Sequence, residues 1–346
     1  MGNVIKDMKL PTMRDVAKRA GVSKTTVSHV VNETRFVEEE TKQRVLQAIE
    51  ELGYYPNVAA RSLTTKRTGT IGVVISDASN LFFGEVLLGV EDILQPENYG
   101  LIVCNTDEIL EREAHYLDLL LTQRVEGIIA AATSQRWTAL AQAEIQHTPI
   151  VSVDRTFPGS EVPFVGVDNK HGAYLGTKHL IEYGHRKLGI IAGFPRLSTM
   201  RERIAGFCQA LEEDHIPIPE EWIVYSPLKA GEDAARQVLS LPERPTALFV
   251  NNNQLAIGVL LAIKRLGLRC PEDIALVVFD DHPWAAVSDP PLTVVRQPTR
   301  ELGQISARML LDLIKGRALA EKNVILECEL IIRQSSGPPG DGLRRK

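Results

Sequence analysis

The stretch MRDVAKRAGVSKTTVSHVV, residues 13–31, decides the fold of the N-terminal end of the chain. Over residues 13–20 the apolar side chains recur at the spacing of one helix face, and Thr12 before them is a typical N-cap residue. Gly21 favours a tight turn, and Ser23 is positioned to cap a second helix. Two short helices joined by a glycine-containing turn are typical of the helix-turn-helix motif.

The second helix of this motif presents two different faces. Val27, Val30 and Val31 fall on the inner face, and a third helix over residues 38–52, ended by Gly53, completes a small core. The polar residues of the outer face are Lys24, Thr25, Thr26, Ser28 and His29. Such side chains can contact base edges and phosphates in a major groove. The pattern predicts a DNA-reading helix, with a plain solvent-facing helical bundle as the alternative.

Length and charge indicate a protein of several domains with one basic end. A chain of 346 residues suits two or three domains. Residues 1–68 hold 12 Lys+Arg and 8 Asp+Glu, a net charge of +4, whereas the remainder holds 27 and 36, a net charge of −9. A basic N-terminal segment on an acidic body indicates a nucleic-acid contact confined to one end.

The sequence lacks the signatures of several other protein classes. No apolar run approaches the roughly 20 residues of a membrane span, and the start has no apolar signal region, so we expect a cytoplasmic protein. The four cysteines lie far apart without metal-ligand spacing, so no metal is expected. The motifs GxxxxGK[ST], GxGxxG after a strand, GxSxG and HExxH do not occur. We therefore expect no cofactor and a protein that binds a small molecule without transforming it.

From Thr70 onward, apolar strands alternate with amphipathic helices. This rhythm predicts parallel sheets covered by helices on both faces, arranged in two doubly wound lobes. The closing segment VILECELIIR, residues 324–333, is predicted as one final strand, and a helix is expected over residues 137–144. Two such lobes bind a ligand beyond the carboxyl ends of their strands, in the cleft between them.

The segment YYPNVAARSLTTKRTG, residues 54–69, joins the two parts of the chain. Residues 58–63 can form about two helical turns, which are marginally stable alone in water. Leu63 would be an apolar side chain on an exposed linker. Arg61, Lys66 and Arg67 could reach phosphates. A plain tether is the alternative to a helix that forms against a partner.

The whole of MRDVAKRAGVSKTTVSHVVNETRFVEEETKQRVLQAIEELGYYPNVAARSL resembles the DNA-binding domain and hinge of the lactose repressor (LacI/GalR) family. TTVSHV and TRFV are most similar to the purine-repressor branch, and the likeness continues through RVEGII, YLGTKHLIEYGHRKLGIIAG, RERIAGF, RPTALFV and LTVVRQP. The resemblance implies a transcriptional regulator, usually a repressor, that binds a nearly palindromic DNA operator as a homodimer. It also implies a body shaped like periplasmic sugar-binding proteins, with a small-molecule effector that controls operator affinity.

The resemblance also assigns DNA contacts. The positions that match base or phosphate contacts in the helix-turn-helix are Thr12, Lys24, Thr25, Thr26, His29 and Arg35. In the hinge, Leu63 matches a leucine that family members insert into the minor groove, and Asn57 and Arg61 lie near it. Thr64 replaces a lysine that some relatives carry after this leucine, which weakens one expected phosphate contact.

The effector-contacting positions that the resemblance assigns are Phe82, Phe83, Asp154, Arg203, Asn252, Asn253 and Asp280. Aromatic faces combined with carboxylate, guanidinium and amide groups suit a polyhydroxylated ring. Each assignment has an alternative, because the two rings could be core, Arg203 could pair with a nearby glutamate, and the adjacent aspartates at 280 and 281 could cap a turn. His282 invites an acid/base role, but no nucleophile or metal pattern accompanies it, so no enzyme is expected.

Two departures separate this chain from purine-binding relatives. Those relatives place an arginine at the position of Leu197, although Arg196 is adjacent here. The region YSPLKAGEDAAR is two residues shorter than in those relatives, and Leu228 is the nearest candidate for their ring-stacking aromatic. We therefore expect a sugar or related polyol as effector, with a purine, a sugar phosphate or another metabolite as the alternative.

The expected organisation is α/β throughout the body. It comprises a helix-turn-helix domain over 10–56, a hinge helix and linker over 57–69, a two-lobed effector and dimerisation domain over 70–336, and a flexible tail over 337–346. The tail has no leucine heptads of the kind the lactose repressor uses to tetramerise, so we expect a dimer. A solute-binding protein without a DNA role is the competing class, and the helix-turn-helix argues against it.

Overall fold

A computed structural model of the chain describes residues 11–32, 35–55, 67–131, 143, 147–156 and 161–339. These residues belong to two compact units that divide between Thr68 and Gly69. The predicted hinge residues Asn57, Arg61 and Leu63 lie outside the described residues, as does most of the helix expected over residues 137–144.

The N-terminal unit is built from short helices around a small core. They are α1 (Met13–Ala20), α2 (Lys24–Asn32) and α3 (Glu39–Leu52). Val16, Val27 and Val45, one from each helix, are fully buried. Gly21 and Gly53 end α1 and α3 with φ of 67° and 57°, a region that glycine enters without steric cost. The predicted helix-turn-helix and its third helix are confirmed.

The first lobe of the larger unit is organised around a six-stranded parallel sheet. Its elements are β1 (Thr70–Ile75), α4 (Leu81–Leu94), β2 (Gly100–Asn105), α5 (Leu110–Thr122), β3 (Gly127–Ala130), β4 (Ile150–Val153), β5 (Phe164–Val167), α11 (Thr299–Ile314) and β11 (Asn323–Leu326). The strand order is β11-β5-β4-β3-β1-β2. Strands β3 and β4 are buried along their whole length, as the continuous apolar runs predicted.

The second lobe repeats this architecture. Its elements are α6 (Asn169–Glu182), β6 (Leu188–Ala192), α7 (Ser198–Glu213), β7 (Ile223–Tyr225), α8 (Gly231–Leu239), β8 (Ala247–Val250), α9 (Asn253–Arg265), β9 (Ala275–Phe279), α10 (Pro283–Val287), β10 (Thr293–Arg296) and β12 (Glu329–Ile331). The strand order is β12-β10-β9-β8-β6-β7, and β12 is antiparallel to β10. The prediction of two doubly wound lobes is confirmed, with β12 as an antiparallel edge.

The prediction of one final strand over residues 324–333 is wrong. The segment forms two strands in different sheets, since β11 pairs with β5 in the first lobe and β12 pairs with β10 in the second. Glu327 and Cys328 lie between them, where the chain passes from one lobe to the other. A predominantly apolar segment of this kind cannot reveal such a crossing, because both of its halves are strands.

The chain passes between the lobes at three places, after β5, after β10 and after β11. The helix α11 follows a second-lobe strand yet packs against α4, β3 and β4 of the first lobe. This interleaving ties both lobes together at one side and leaves a cleft beyond the carboxyl ends of their parallel strands. No helix of the described residues is long and apolar enough to cross a membrane.

Candidate functional site

The outer face of α2 presents the polar side chains that the sequence predicted for DNA reading. Lys24 and Thr25 are exposed, whereas Thr26 and His29 are half-buried. The hydroxyl of Ser23 accepts from the backbone N–H of Thr26 over 3.0 Å and lies 2.9 Å from its side-chain oxygen. Ser23 therefore caps α2 as predicted, and it holds Thr26 in a fixed position at the start of the reading helix.

The residues predicted to contact the phosphate backbone of DNA, Thr12 and Arg35, lie outside α2. Thr12 precedes α1, where both its backbone N–H and its hydroxyl donate to Asp15, over 2.9 and 2.7 Å. Thr12 and Lys24 border the same surface hollow, together with Arg14. Arg35 is exposed. The starts of α1 and α2 and the cationic side chains of Arg14 and Lys24 thus border one hollow. This arrangement suits phosphate oxygens.

In the larger unit, one cavity between the lobes collects most of the predicted effector residues. The predicted residues that line it are Phe82, Phe83, Asp154, Arg203, Asn252 and Asp280. They come from both lobes and from the segments that follow β1, β4, β6, β8 and β9. The space bounded by the described residues is only about 30 Å³. Since this is room for only a few waters, we expect a sugar-sized ligand to require that the lobes separate or side chains move.

The two aromatic residues both line the cavity and belong to the core. Their rings meet edge to face with centroids 5.0 Å apart. Phe82 is 4% and Phe83 2% exposed. The side chain of Asn80 accepts from the backbone N–H of Phe82 over 3.1 Å and caps α4. The core and ligand interpretations of this pair are therefore compatible.

Arg203 is a buried side chain with fixed orientation. Its Nε donates to Asn169 Oδ1 over 2.8 Å and its Nη1 donates to the carbonyl of Asn251 over 2.9 Å. The guanidinium carbon lies 3.6 Å from the centroid of the Phe279 ring. The adjacent Glu202 bonds to Asn169 instead, over 3.3 Å. Arg203 is thus held by amides and an aromatic face rather than by the nearby glutamate that was the alternative.

The two aspartates stand at strained positions where strands end. Asp154 follows β4 with φ of 66°, and Asp280 follows β9 with φ of 82°. Left-handed backbone is costly for residues other than glycine and recurs at functional sites. Burial raises the pKa of Asp154, and the nearby Arg155 and Arg203 counteract part of this rise. Asp280 accepts from Gln297 Nε2 over 2.6 Å, so its side chain is used in the cavity wall rather than in a turn.

Two residues that the sequence reasoning missed have unsatisfied polar atoms at the cavity. Arg155 is 6% exposed, and Nη2 donates to Glu108 over 2.9 Å. Its Nε and Nη1 have no hydrogen-bond partner among the described residues, although Nε lies 3.3 Å from Asp154 Oδ2. Gln297 Oε1 is likewise without a partner in the described part of the chain. Their positions in the sequence could have indicated a place in the cavity, because both residues follow strands whose carboxyl ends face the cleft.

Further cavity residues that were not predicted are Asn80, Thr199 and Met200. Asn253, which is also predicted as a ligand residue, links the lobes: its Nδ2 donates to Asn80 Oδ1 over 3.0 Å. Gln254 beside it donates to Asp77 over 2.7 Å, also across the cleft. These contacts hold the lobes in a closed arrangement.

The positions that depart from purine-binding relatives do not supply a cation to the cavity. Leu197 is buried at 5% exposure. Arg196 is exposed, and its guanidinium lies 3.7 Å from Glu108 of the first lobe. Leu228 packs against the apolar core of the second lobe. None of these three residues is among the described residues that line the cavity.

The helical unit and the larger unit each match a known family model. Residues 12–57 match bacterial regulatory proteins of the lacI family, and residues 177–336 match a periplasmic binding protein-like domain. The chain is 38% identical over 332 residues to the HTH-type transcriptional repressor PurR of Aliivibrio salmonicida (strain LFI1238), covering 94% of this chain and 99% of that protein.

Solved structures give the same picture. The lac repressor dimer bound to operator and the anti-inducer ONPF is 29% identical with a TM-score of 0.84, covering 95% of this chain and all of that one. A protein assigned as a ribose operon repressor of Burkholderia thailandensis is 35% identical with a TM-score of 0.71, covering 77% and 99%. A LacI family regulator of Enterococcus faecium with bound ribose is 29% identical with a TM-score of 0.70, covering 78% and 99%. The similarity thus extends over both units of the chain.

Proposed function

Because the chain belongs to the lacI family of bacterial regulatory proteins, it is a DNA-binding transcriptional repressor, and we propose that its effector is a small neutral sugar. The sugar occupies the cleft between the lobes and changes operator affinity. The observation that carries this proposal is that Nε and Nη1 of Arg155 have no hydrogen-bond partner among the described residues, in a cavity walled by the carboxylates of Asp154 and Asp280.

The unsatisfied atoms define the chemistry of the ligand. Arg155 offers N–H donors, whereas Gln297 Oε1 and the carboxylates of Asp154 and Asp280 accept. A hydroxyl group donates and accepts at once, so a ring that carries several hydroxyls satisfies both kinds of atom. The aromatic faces of Phe82 and Phe83 cover the apolar side of such a ring.

Charge balance favours an uncharged effector over a phosphorylated one. The two guanidiniums at the cavity, Arg155 and Arg203, already have Asp154, Asp280 and Glu108 close to them. A phosphate dianion would enter beside carboxylates, and the described residues that line the cavity offer no further cation to receive it. A pentose fits these limits, and the related Enterococcus faecium regulator holds ribose.

A purine effector is the second candidate, because the PurR relative is 38% identical along nearly its whole length. Against it stand the buried leucine at position 197, where purine-binding relatives carry an arginine, and the outward position of Arg196, which pairs with Glu108. Beyond this overall identity, the segments TTVSHV and TRFV, which are particularly similar to the purine repressor, lie in the DNA-reading part of the chain. We therefore assign the purine-repressor likeness to DNA recognition rather than to the ligand.

DNA recognition is proposed to use the family positions in a homodimer, as in the related lac repressor dimer on operator. The proposed contacts are Thr12, Lys24, Thr25, Thr26, His29 and Arg35, with Asn57, Arg61 and Leu63 in the hinge. Exposed apolar side chains on both lobes support dimerisation through α4, β2 and α9: Leu88, Val103, Ile257 and Leu261. The protein would act in the cytoplasm, where operator DNA is available.

The test is thermal unfolding of the intact protein with D-ribose, D-ribose 5-phosphate, adenine and guanine. A ligand that binds only the folded state stabilises it by about 2.7 kcal/mol at 100-fold over its Kd. We expect D-ribose to raise the unfolding midpoint and the phosphate ester to leave it unchanged. A rise with a purine base and none with D-ribose would transfer the assignment to the second candidate.

A further inference from the structure

His282 is a buried histidine that makes no direct contact with the cavity, yet it contacts the residue that joins the two lobes. The side-chain nitrogen of Asn253, at the start of α9, lies within hydrogen-bond distance of three side chains. Two are acceptors, Asn80 Oδ1 at 3.0 Å and Asp280 Oδ2 at 3.3 Å. The third is His282 Nε2. Asn80 belongs to the first lobe and the other residues to the second.

The orientation of the Asn253 amide follows from the groups around it. The backbone N–H of Phe82 donates to Asn80 at 3.1 Å, so Asn80 presents its oxygen at this point. Asp280 is a carboxylate whose other oxygen accepts from Gln297. Both neighbours require a donor, and therefore Asn253 must turn its NH₂ group toward them rather than its oxygen.

This orientation fixes the protonation of His282. The NH₂ group of Asn253 has two hydrogens for three neighbours, so Asp280, the farthest at 3.3 Å, shares one of them. Since this group faces His282 Nε2, that ring nitrogen must accept, and the ring proton must be on Nδ1. A proton on Nε2 would place two donors against each other. Asn253 would then have to rotate and present its oxygen to Asn80 and Asp280, and the hydrogen bond across the cleft would be lost.

We propose that His282, as a neutral imidazole protonated on Nδ1, is a positioning residue that orients Asn253 to close the effector cleft. Asn253 joins the lobes through Asn80, and effector binding between lobes depends on their closure. The effect of His282 on the effector therefore passes through Asn253, without contact with the ligand. This inference rests on the proposed function, because its affinity readout uses the sugar.

The experiment compares three substitutions by calorimetric titration with D-ribose. The amide of glutamine reaches the position of a histidine Nε2 and can accept there, whereas the shorter amide of asparagine reaches only the position of Nδ1. We expect His282→Gln to keep the affinity within about threefold, and His282→Asn and His282→Ala to lower it by roughly tenfold. Equal affinities for the Gln and Asn variants would overturn the proposal, because a purely structural role would not separate them.

A second measurement does not depend on the effector. Nitrogen NMR of the full-length protein with ¹⁵N-labelled histidine identifies which ring nitrogen of His282 is protonated, with His282→Gln used to assign the signal. A bare Nε2 and a protonated Nδ1 are expected. The opposite tautomer would refute the positioning role even if D-ribose binds. If D-ribose fails to bind the unsubstituted protein, the effector assignment fails, while the tautomer still decides the proposal for His282.

Discussion

Arg155 and Glu108 form a partly buried ion pair at the edge of the cleft, with Nη2 of the arginine 2.9 Å from Oε1 of the glutamate. The pair anchors one end of the guanidinium and leaves Nε and Nη1 without hydrogen bonds among the described residues. Buried donors of this kind are rare in folded proteins unless a ligand or water satisfies them. The pair thus holds a donor group in place at the cavity before an effector arrives.

Replacing Arg155 by methionine removes these donors and keeps most of the side-chain volume. Hydrogen bonds to charged groups contribute about 1.5–3 kcal/mol, so we expect D-ribose to bind at least tenfold more weakly in calorimetric titration. Arg196→Met is the matched control, because Arg196 faces the same Glu108 from an exposed position. The control should change affinity less than about threefold. An equal loss of D-ribose affinity in both variants would mean that the affinity depends on the positive charge near Glu108 and not on the Arg155 donors.

Replacing Arg203 by alanine should abolish the response of operator binding to effector while leaving operator binding itself intact. The side chain is held by Asn169, which follows β5 where the chain enters the second lobe, and by the Asn251 carbonyl. It thus connects the cavity wall to a crossover between the lobes. Operator affinity would be measured by fluorescence anisotropy with and without D-ribose. Arg201→Ala, on the exposed side of the same helix, is the control; a normal response in Arg203→Ala would exclude the role.

Acid should destabilise the second lobe through two buried histidines. Burial lowers the pKa of His179 and of His185 below their ordinary values. His179 Nε2 lies 2.7 Å from the Ser336 hydroxyl, and His185 Nε2 lies 2.7 Å from the Gly337 carbonyl. A histidine with a depressed pKa takes up its proton more readily in the unfolded chain. The contribution of these two histidines to the free energy of unfolding is therefore fully present above about pH 6.5 and is lost as the pH falls below that value.

The measurement is urea unfolding at pH 7.5 and pH 5.5. The raised pKa values of Asp154 and Glu202 act in the opposite direction, so the wild-type change alone is not diagnostic. His179→Gln and His185→Gln should each reduce the loss of stability between the two pH values. His147→Gln, at an exposed histidine, should leave it as in the wild type. Identical losses in all four proteins would contradict the assignment.

The protein should be a dimer held by the exposed apolar side chains of α4 and α9. Light scattering is expected to give the mass of two chains, and a mass near four chains would contradict the prediction made from the tail. Ile257→Asp places a charge among these residues and should shift the protein toward monomer at low micromolar concentration. Val287→Asp is a control at an exposed apolar residue of α10. Equal effects of the two changes would show that α9 has no special part in assembly.

Sequence reasoning recovered most of the fold because helix caps and strand periods are local. Ser23 and Gly53 mark their helix ends directly, and continuous apolar runs mark the buried strands. It failed where the structure depends on pairing between residues far apart in the chain. At Glu327–Cys328 a single predicted strand divides into β11 and β12, which belong to different sheets. The position of Arg155 after β4 was a local signal that was overlooked, but only the fold reveals that two of its donors have no hydrogen-bond partner among the described residues.

Leu63→Ala tests the part of the chain between the two units, which lies outside the described residues. The family resemblance makes Leu63 the wedge that enters the minor groove at the operator centre, and removing it takes away the side chain that holds the DNA bend. We expect operator binding to weaken by about 1–3 kcal/mol in anisotropy titrations at fixed salt, with effector affinity unchanged. Leu46→Ala, at an exposed leucine of α3, is the control for loss of a surface leucine in the same half of the chain. If Leu63→Ala binds operator as tightly as this control does, the hinge is a plain tether and DNA affinity resides in the helix-turn-helix alone.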